Sequence, residues 1–223
     1  MGTNWQSSKE YYGLLNQLAN ERIGGHNSPE MVMVNLNFQN VVDYLKRDDL
    51  DSMNQMMLTA AKKLEDAGAD LVGICTNTLH NCYDFLQDNI SIPIIHIADA
   101  VADRVKQDGI EKVLLLGTMA TMGLDFYKKR LGSYGIEVIV PSEEDMRYVD
   151  DVIFNEMCSK GLFLDKSRGG FRGIIQKAKK AGAKGVVLGC TEIPILLNGV
   201  DCGANVYDTM RIHVEAMLDY SMR

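Results

Sequence analysis

Residues 67–78 read AGADLVGICTNT, and residues 181–192 read AGAKGVVLGCTE. The two segments are versions of one unit: an Ala-Gly-Ala turn, a short apolar run, then a cysteine followed by a threonine. An apolar run of this length bounded by turn residues reads as a buried strand. Each unit therefore carries a strand into a loop and sets one thiol, Cys75 or Cys190, at the strand's carboxyl end. In α/β sheets, ligands bind outside the carboxyl ends of the strands.

Working outward, helical and strand periods alternate. Helices are expected at 8–22, where Tyr11, Leu14, Leu15 and Leu18 share a face, and at 51–66, 78–87 and 98–108. Further helices are expected at 121–134, 144–159, 171–182, 192–197 and 207–222, with 161–170 as a loop. Strands are expected at 31–36, 70–75, 92–96, 111–116, 136–140 and 185–189. Strands alternating with helices imply parallel β-α units. The fold class is α/β, with two similar lobes, each a mainly parallel sheet flanked by helices. Residues 1–98 form the N-terminal lobe, 99–206 the C-terminal lobe, and 207–223 a final helix that packs back on the first lobe. A second match supports duplication. Gly117-Thr118 precedes Phe126-Tyr127 by the same spacing that separates Gly2-Thr3 from Tyr11-Tyr12. On that reading the chain begins where a first strand should end, and that strand is missing.

The chain has 223 residues, 46% of them hydrophobic, and a formal net charge of −7. No Lys/Arg run stands out, which argues against a nucleic-acid partner. No apolar stretch is long enough to cross a bilayer, and MGTNWQSSKE has neither a basic leader nor an apolar signal core. A cytoplasmic protein is expected. Five cysteines at wide spacing do not make a disulfide framework, and four scattered histidines without C-x-x-C or H-x-x-x-H give no metal site. No Walker or G-x-G-x-x-G pattern supports a nucleotide cofactor.

The chemistry concentrates at the repeated unit. Thr76-Asn77-Thr78 opens a helix after Cys75, and Thr191-Glu192 does so after Cys190, with Pro194 in the first turn. A helix N-terminus can hold a carboxylate, and the same environment lowers a thiol pKa from about 8.5. Taken singly, either unit also reads as a helix cap and a buried cysteine; the repetition favours a functional pair. Cys82, Cys158 and Cys202 read as structural. His80, five residues past Cys75, either tunes that thiol or packs. His96 precedes Asp99 at a strand end, and His213 lies on the final helix. Lys160, Lys166 and Arg168 fall in the loop KGLFLDKSRGG, which either reaches the site or forms a surface cluster. Gly117-Thr118 alone is a weak phosphate signal.

CTNTLH and GCTEIP, together with PIIHIADA, LLGTMATM and the Gly2–Tyr12 opening, resemble the aspartate/glutamate racemase family over nearly the whole chain, as far as DTMRIH. The resemblance implies two pseudo-symmetric α/β lobes with the active site in the cleft between them, no pyridoxal phosphate, metal or nucleotide, and a homodimer. It implies that Cys75 and Cys190 are the two catalytic bases, one on each face of the substrate Cα. Thr76, Asn77, Thr78, Thr191 and Glu192 would bind the substrate's amino and carboxylate groups. Lys160, or in its place Lys166 or Arg168, would meet the side-chain carboxylate. Relatives begin with an apolar strand and a Gly-Gly-Met-type loop, where this chain has Met1-Gly2-Thr3.

Two bases divide a racemisation between them: one accepts the α-proton as thiolate, the other delivers a proton as thiol, and they exchange states each turnover. The expected activity is interconversion of the L- and D-forms of an acidic amino acid, aspartate ahead of glutamate. Two alternatives stand beside it: a catalytically silent ligand-binding relative, and an isomerase or lyase acting on a small dicarboxylate.

Overall fold

Residues 1–222 are described by a computed structural model. The chain divides into two compact units, one made of Met1–Ile97 with the segment from His213 onward, the other of Ala98–Ile212. Both are α/β, and every strand pairing in them is parallel.

In the first unit, α1 (Trp5–Ile23) starts where the Asn4 side chain accepts from the Gln6 N–H, and it stops at Gly24, whose φ of 78° few other residues adopt. Asn37 starts α2 (Phe38–Lys46) in the same way, and Asp49 starts α3 (Leu50–Asp66). α2 is an addition to the expected helices, although Phe38, Val41, Val42 and Leu45 carry the helical period. On α3, Met53, Met57, Ala60, Ala61 and Leu64 form the buried stripe. β1 (Val72–Gly73) leads through a 3-10 turn (Thr78–Cys82) into α4 (Tyr83–Gln87), and β2 (Ile94–Ile95) pairs with β1 through Val72↔Ile94 and Gly73↔Ile95.

The strand expected at 31–36 is not formed as such. Its only ladder contact is the parallel bridge Gly2↔Asn35, with Gly2 N–H donating to Val34 O (3.0 Å) and Leu36 N–H to Gly2 O (2.8 Å). On the other side, Cys75 N–H donates to Met1 O at 2.8 Å, and the Met1 nitrogen bonds Gly73 O at 2.6 Å. Met1-Gly2 thus lies between the two segments and bonds both. Two residues supply too few ladder bonds to make 31–36 regular, so a strand-like pattern is left as extended chain.

The second unit opens with α5 (Ile97–Gln107) and β3 (Lys112–Gly117). Two helices, α6 (Met119–Gly123) and α7 (Asp125–Ser133), replace the single one expected. Then come β4 (Glu137–Ile139), α8 (Glu143–Asp151) and a π-helical continuation, Val152–Cys158. The expected loop 161–170 is a loop only as far as Leu164. α9 (Asp165–Lys180) runs through Gly169-Gly170, and the absent Cβ at Gly170 leaves room for the Tyr148 ring. Lys166 and Arg168 are therefore helical residues. β5 (Gly185–Gly189), α10 (Ile193–Leu196) and β6 (Asn205–Asp208) complete a sheet of order β4-β3-β5-β6. β6 occupies the start of the expected final helix. Asp208 Oδ1 accepts from the N–H groups of Met210 and Arg211 and so delays α11 (Thr209–Ser221). From His213 onward α11 belongs to the first unit, where Met217 covers Gly73.

Each unit has its own core. Leu114, Leu116, Val186 and Leu188 of β3 and β5 anchor one; Val72, Ile74, Met53 and Met57 anchor the other. No described helix is long and apolar enough to cross a membrane. β3 and β5 approach closely at their carboxyl ends, where Gly117 pairs with Gly189. A Cβ on Gly189 would sit 2.9 Å from Leu116 O and 3.1 Å from Thr121 Cγ2. Gly189→Ala is expected to lower unfolding free energy by roughly 1–3 kcal/mol, the usual cost of overpacking a tight site, measured by urea denaturation. A change within error would show that the strands can part without cost.

Candidate active site

Cys75 stands two residues past β1 and is 6% exposed. Its loop is held by backbone bonds, Cys75 N–H to Met1 O and Thr76 N–H to Ile74 O, both 2.8 Å. His80 adds two more, its N–H donating to Asn77 O at 3.1 Å and its Nδ1 to Thr76 O at 2.8 Å. Asn77 is buried, and Thr78 begins the 3-10 turn. Beneath the loop, His80 packs against His96, and His213 is fully buried, with Nε2 at 2.7 Å from Ile95 O and Nδ1 at 2.9 Å from Tyr11 Oη. Burial pushes the Cys75 thiol above its ordinary range.

Cys190 directly follows β5 and is partly buried. Its Sγ donates to Glu192 Oε2 at 2.9 Å, and Thr191 Oγ1 donates to the same oxygen at 2.7 Å. Thr191 and Glu192 are both buried. Contact with the Cys158 thiol, burial and the Glu192 carboxylate together hold Cys190 well above the ordinary thiol range. The expectation that helix ends lower the thiol pKa is thus overturned at both cysteines. The elements after Cys75 and Cys190 are a five-residue 3-10 turn and a four-residue helix. So few aligned peptides make a weak dipole, and it is outweighed by desolvation at Cys75 and by the Cys158 contact together with burial at Cys190.

Cys158, read from sequence as structural, is instead a neighbour of Cys190. The π register at Val152–Cys158 decides which way it faces, and nothing in the sequence announces that register. Cys82 is a core residue whose thiol burial pushes up to about 12, and Cys202 packs in the other core. Lys160 and Lys166 are exposed. Arg168 donates from Nε to Leu196 O at 2.8 Å and pairs with Asp165, so its guanidinium serves the end of α10. At Gly117-Thr118, the Met119 N–H is taken by Asp150 (2.6 Å) and the Thr121 N–H by Thr118 Oγ1 (3.3 Å), which explains why that turn is not an anion cradle. Asp99 is held in a two-pronged pair with Arg130, at 2.6 and 2.7 Å. Among the described residues, no group of three or more His, Cys, Asp or Glu is placed to hold a metal.

Two α/β units with parallel sheets flanked by helices match the fold of solved Asp/Glu racemases. The chain matches a Yersinia pestis protein assigned as an Asp/Glu racemase with TM-score 0.93 at 36% identity, covering 100% of this chain and 98% of that one. It matches an aspartate racemase homologue from Pyrococcus horikoshii with TM-score 0.87 at 31% identity and the same coverage. In sequence it is 33% identical over 91 residues to a broad-specificity amino-acid racemase of Bacillus subtilis; the aligned part spans 41% of this chain and 40% of that relative. The Asp/Glu/hydantoin racemase family model matches residues 1–217, and the chain belongs to that family. Its homologues are amino-acid racemases, which in this family are isomerases independent of pyridoxal phosphate.

Two outcomes test these environments. Glu192→Gln removes the negative charge facing Cys190, so the pH at which Cys190 becomes alkylated by iodoacetamide should fall, read by mass spectrometry of its peptide; no fall would mean that Cys158 and burial alone raise it. His213 is held neutral by burial, its pKa pushed down to about 3. A group with a depressed folded pKa contributes stability above its unfolded value, about 6.5, and that stability is lost as pH falls toward 3. His213→Gln should therefore flatten the decline of unfolding free energy across that window, measured by denaturant titration at several pH values.

Proposed function

We propose that this chain is a cofactor-independent racemase interconverting the L- and D-forms of an acidic amino acid, aspartate ahead of glutamate, with Cys75 and Cys190 as its acid–base pair. The observation that carries the proposal is the duplicated placement of a thiol just beyond a parallel strand in both units, Cys75 buried and Cys190 partly buried, each followed by a threonine. With both pKa values raised, the resting groups are thiols. One must first give up its proton to solvent before it can accept the α-proton; the other is already the acid that delivers a proton to the opposite face.

Glu192 is suited to the substrate's α-ammonium, since a carboxylate attracts that group and repels the α-carboxylate. It also holds Cys190 and Thr191 by hydrogen bonds, which supports a role in aiming the thiol. Thr76, Asn77 and Thr78 are assigned to the α-carboxylate, whose developing charge needs preorganised donors. Lys160 is assigned to the side-chain carboxylate. It is exposed and lies two residues beyond Cys158, the neighbour of Cys190, whereas Arg168 is occupied and Lys166 lies on α9. A homodimer belongs to the same proposal and rests on the family resemblance; a cytoplasmic location is proposed with it.

Cys75→Ala and Cys190→Ala should each lower kcat for racemisation by roughly 10²–10⁴-fold, the usual worth of an acid–base group, followed by circular dichroism. Each should still exchange the α-proton of one enantiomer in deuterium oxide, and the two variants should differ in which enantiomer that is. Unchanged racemisation in either variant refutes the two-thiol mechanism. Turnover of small dicarboxylates with none of amino acids would point to an isomerase or lyase.

A further inference from the structure

The loop Cys75–Asn77 lies between β1 and the 3-10 turn and has no regular structure. We propose that His80 is a positioning residue for this loop: its Nδ1–H anchors the Thr76 carbonyl, and the packed rings of His96 and His213 hold His80 in place. The inference rests on the reading of Cys75 as an acid–base group.

The protonation pattern follows from the acceptors. A backbone carbonyl oxygen only accepts, so the His80 nitrogen 2.8 Å from Thr76 O carries the proton, which makes His80 the Nδ1–H tautomer. By the same reasoning His213 is protonated at Nε2, 2.7 Å from Ile95 O, and its Nδ1 accepts from Tyr11 Oη at 2.9 Å. The His80 ring is 2% exposed and lies 4.8 Å from the His96 ring and 5.4 Å from the His213 ring. Tyr83 closes on His96 at 4.6 Å. A ring so enclosed cannot turn without displacing His96, just past β2, or His213 on α11, and these are backed in turn by Tyr83 of α4 and Tyr11 of α1.

The consequence falls on the site. The Thr76 carbonyl and the Asn77 N–H belong to one planar peptide. Fixing the carbonyl fixes the direction of that N–H and, one residue back, the setting of Cys75. A hydrogen bond to the carbonyl also polarises the same peptide. His80 acts through the loop backbone rather than on reacting atoms, which is why it is a positioning residue.

The two ring nitrogens make the idea testable. An asparagine amide nitrogen reaches the place of Nδ1; a glutamine amide nitrogen reaches the place of Nε2. His80→Gln and His80→Leu should lower kcat by about ten- to a hundredfold, as expected for a buried carbonyl stripped of its donor, with a smaller change in KM. His80→Asn should recover most of that loss. Equal losses in all three variants, or losses that track thermal midpoints, would overturn the proposal. Two readouts do not need activity. Long-range proton–nitrogen correlation on the wild-type protein should show His80 protonated at Nδ1; protonation at Nε2 would overturn the proposal. Hydrogen exchange at the Thr76 amide, which donates to Ile74 O at 2.8 Å, should be slow in wild type and His80→Asn and faster in His80→Gln; equal rates would overturn it. If the wild type racemises no amino acid, the reading of Cys75 fails, while the exchange rates still decide whether His80 holds the loop.

Discussion

Parallel pairing stops at Gly73 in one sheet and at Gly189 in the other, and each cysteine stands just past that point. Beyond the last ladder bond, a backbone must find other partners for its N–H and C=O groups. The irregular turns that result leave the two thiols beyond the carboxyl ends of the strands rather than within the sheets. The close approach of Gly117 and Gly189 brings the β5 end into this position, and the bonds of Met1-Gly2 do so for β1. Fold and chemistry depend on those two strand ends.

The two copies share a sequence pattern and differ in surroundings. Cys190 continues from a five-residue strand at the centre of a four-stranded sheet, and its neighbours are a thiol and a carboxylate. Cys75 follows a two-residue strand, and its loop leans on a buried histidine cluster. In both cases the thiol is desolvated and neutral at rest, by different means. Burial is the cause common to the two raised pKa values.

Much of the fold was legible, because buried strands and amphipathic helices leave different periods in the chain. α3, α5, β3 and β5 fall close to their expected bounds. The failures have local causes. Residues 31–36 form an apolar run that reads as a strand, but Met1-Gly2 offers them only two hydrogen bonds. Gly169-Gly170 looks like a helix breaker, but the missing Cβ is what lets Tyr148 pack against α9. Asp208 caps a helix from the end of a strand, so the two elements read as one. The thiol positions were readable from the repeat, whereas their pKa directions were not, because short helices carry little dipole and burial depends on distant residues.

By itself, the sequence determined the α/β alternation, the duplicated strand-end cysteines and the family, since these reside in periodicity and in contiguous motifs. Tertiary structure alone decided that Cys158 meets Cys190 and that His80, His96, His213 and Tyr11 form one buried cluster. The physical reason is separation along the chain. Tyr11 and His213 are 202 residues apart, and only the folded core brings their side chains within hydrogen-bond reach.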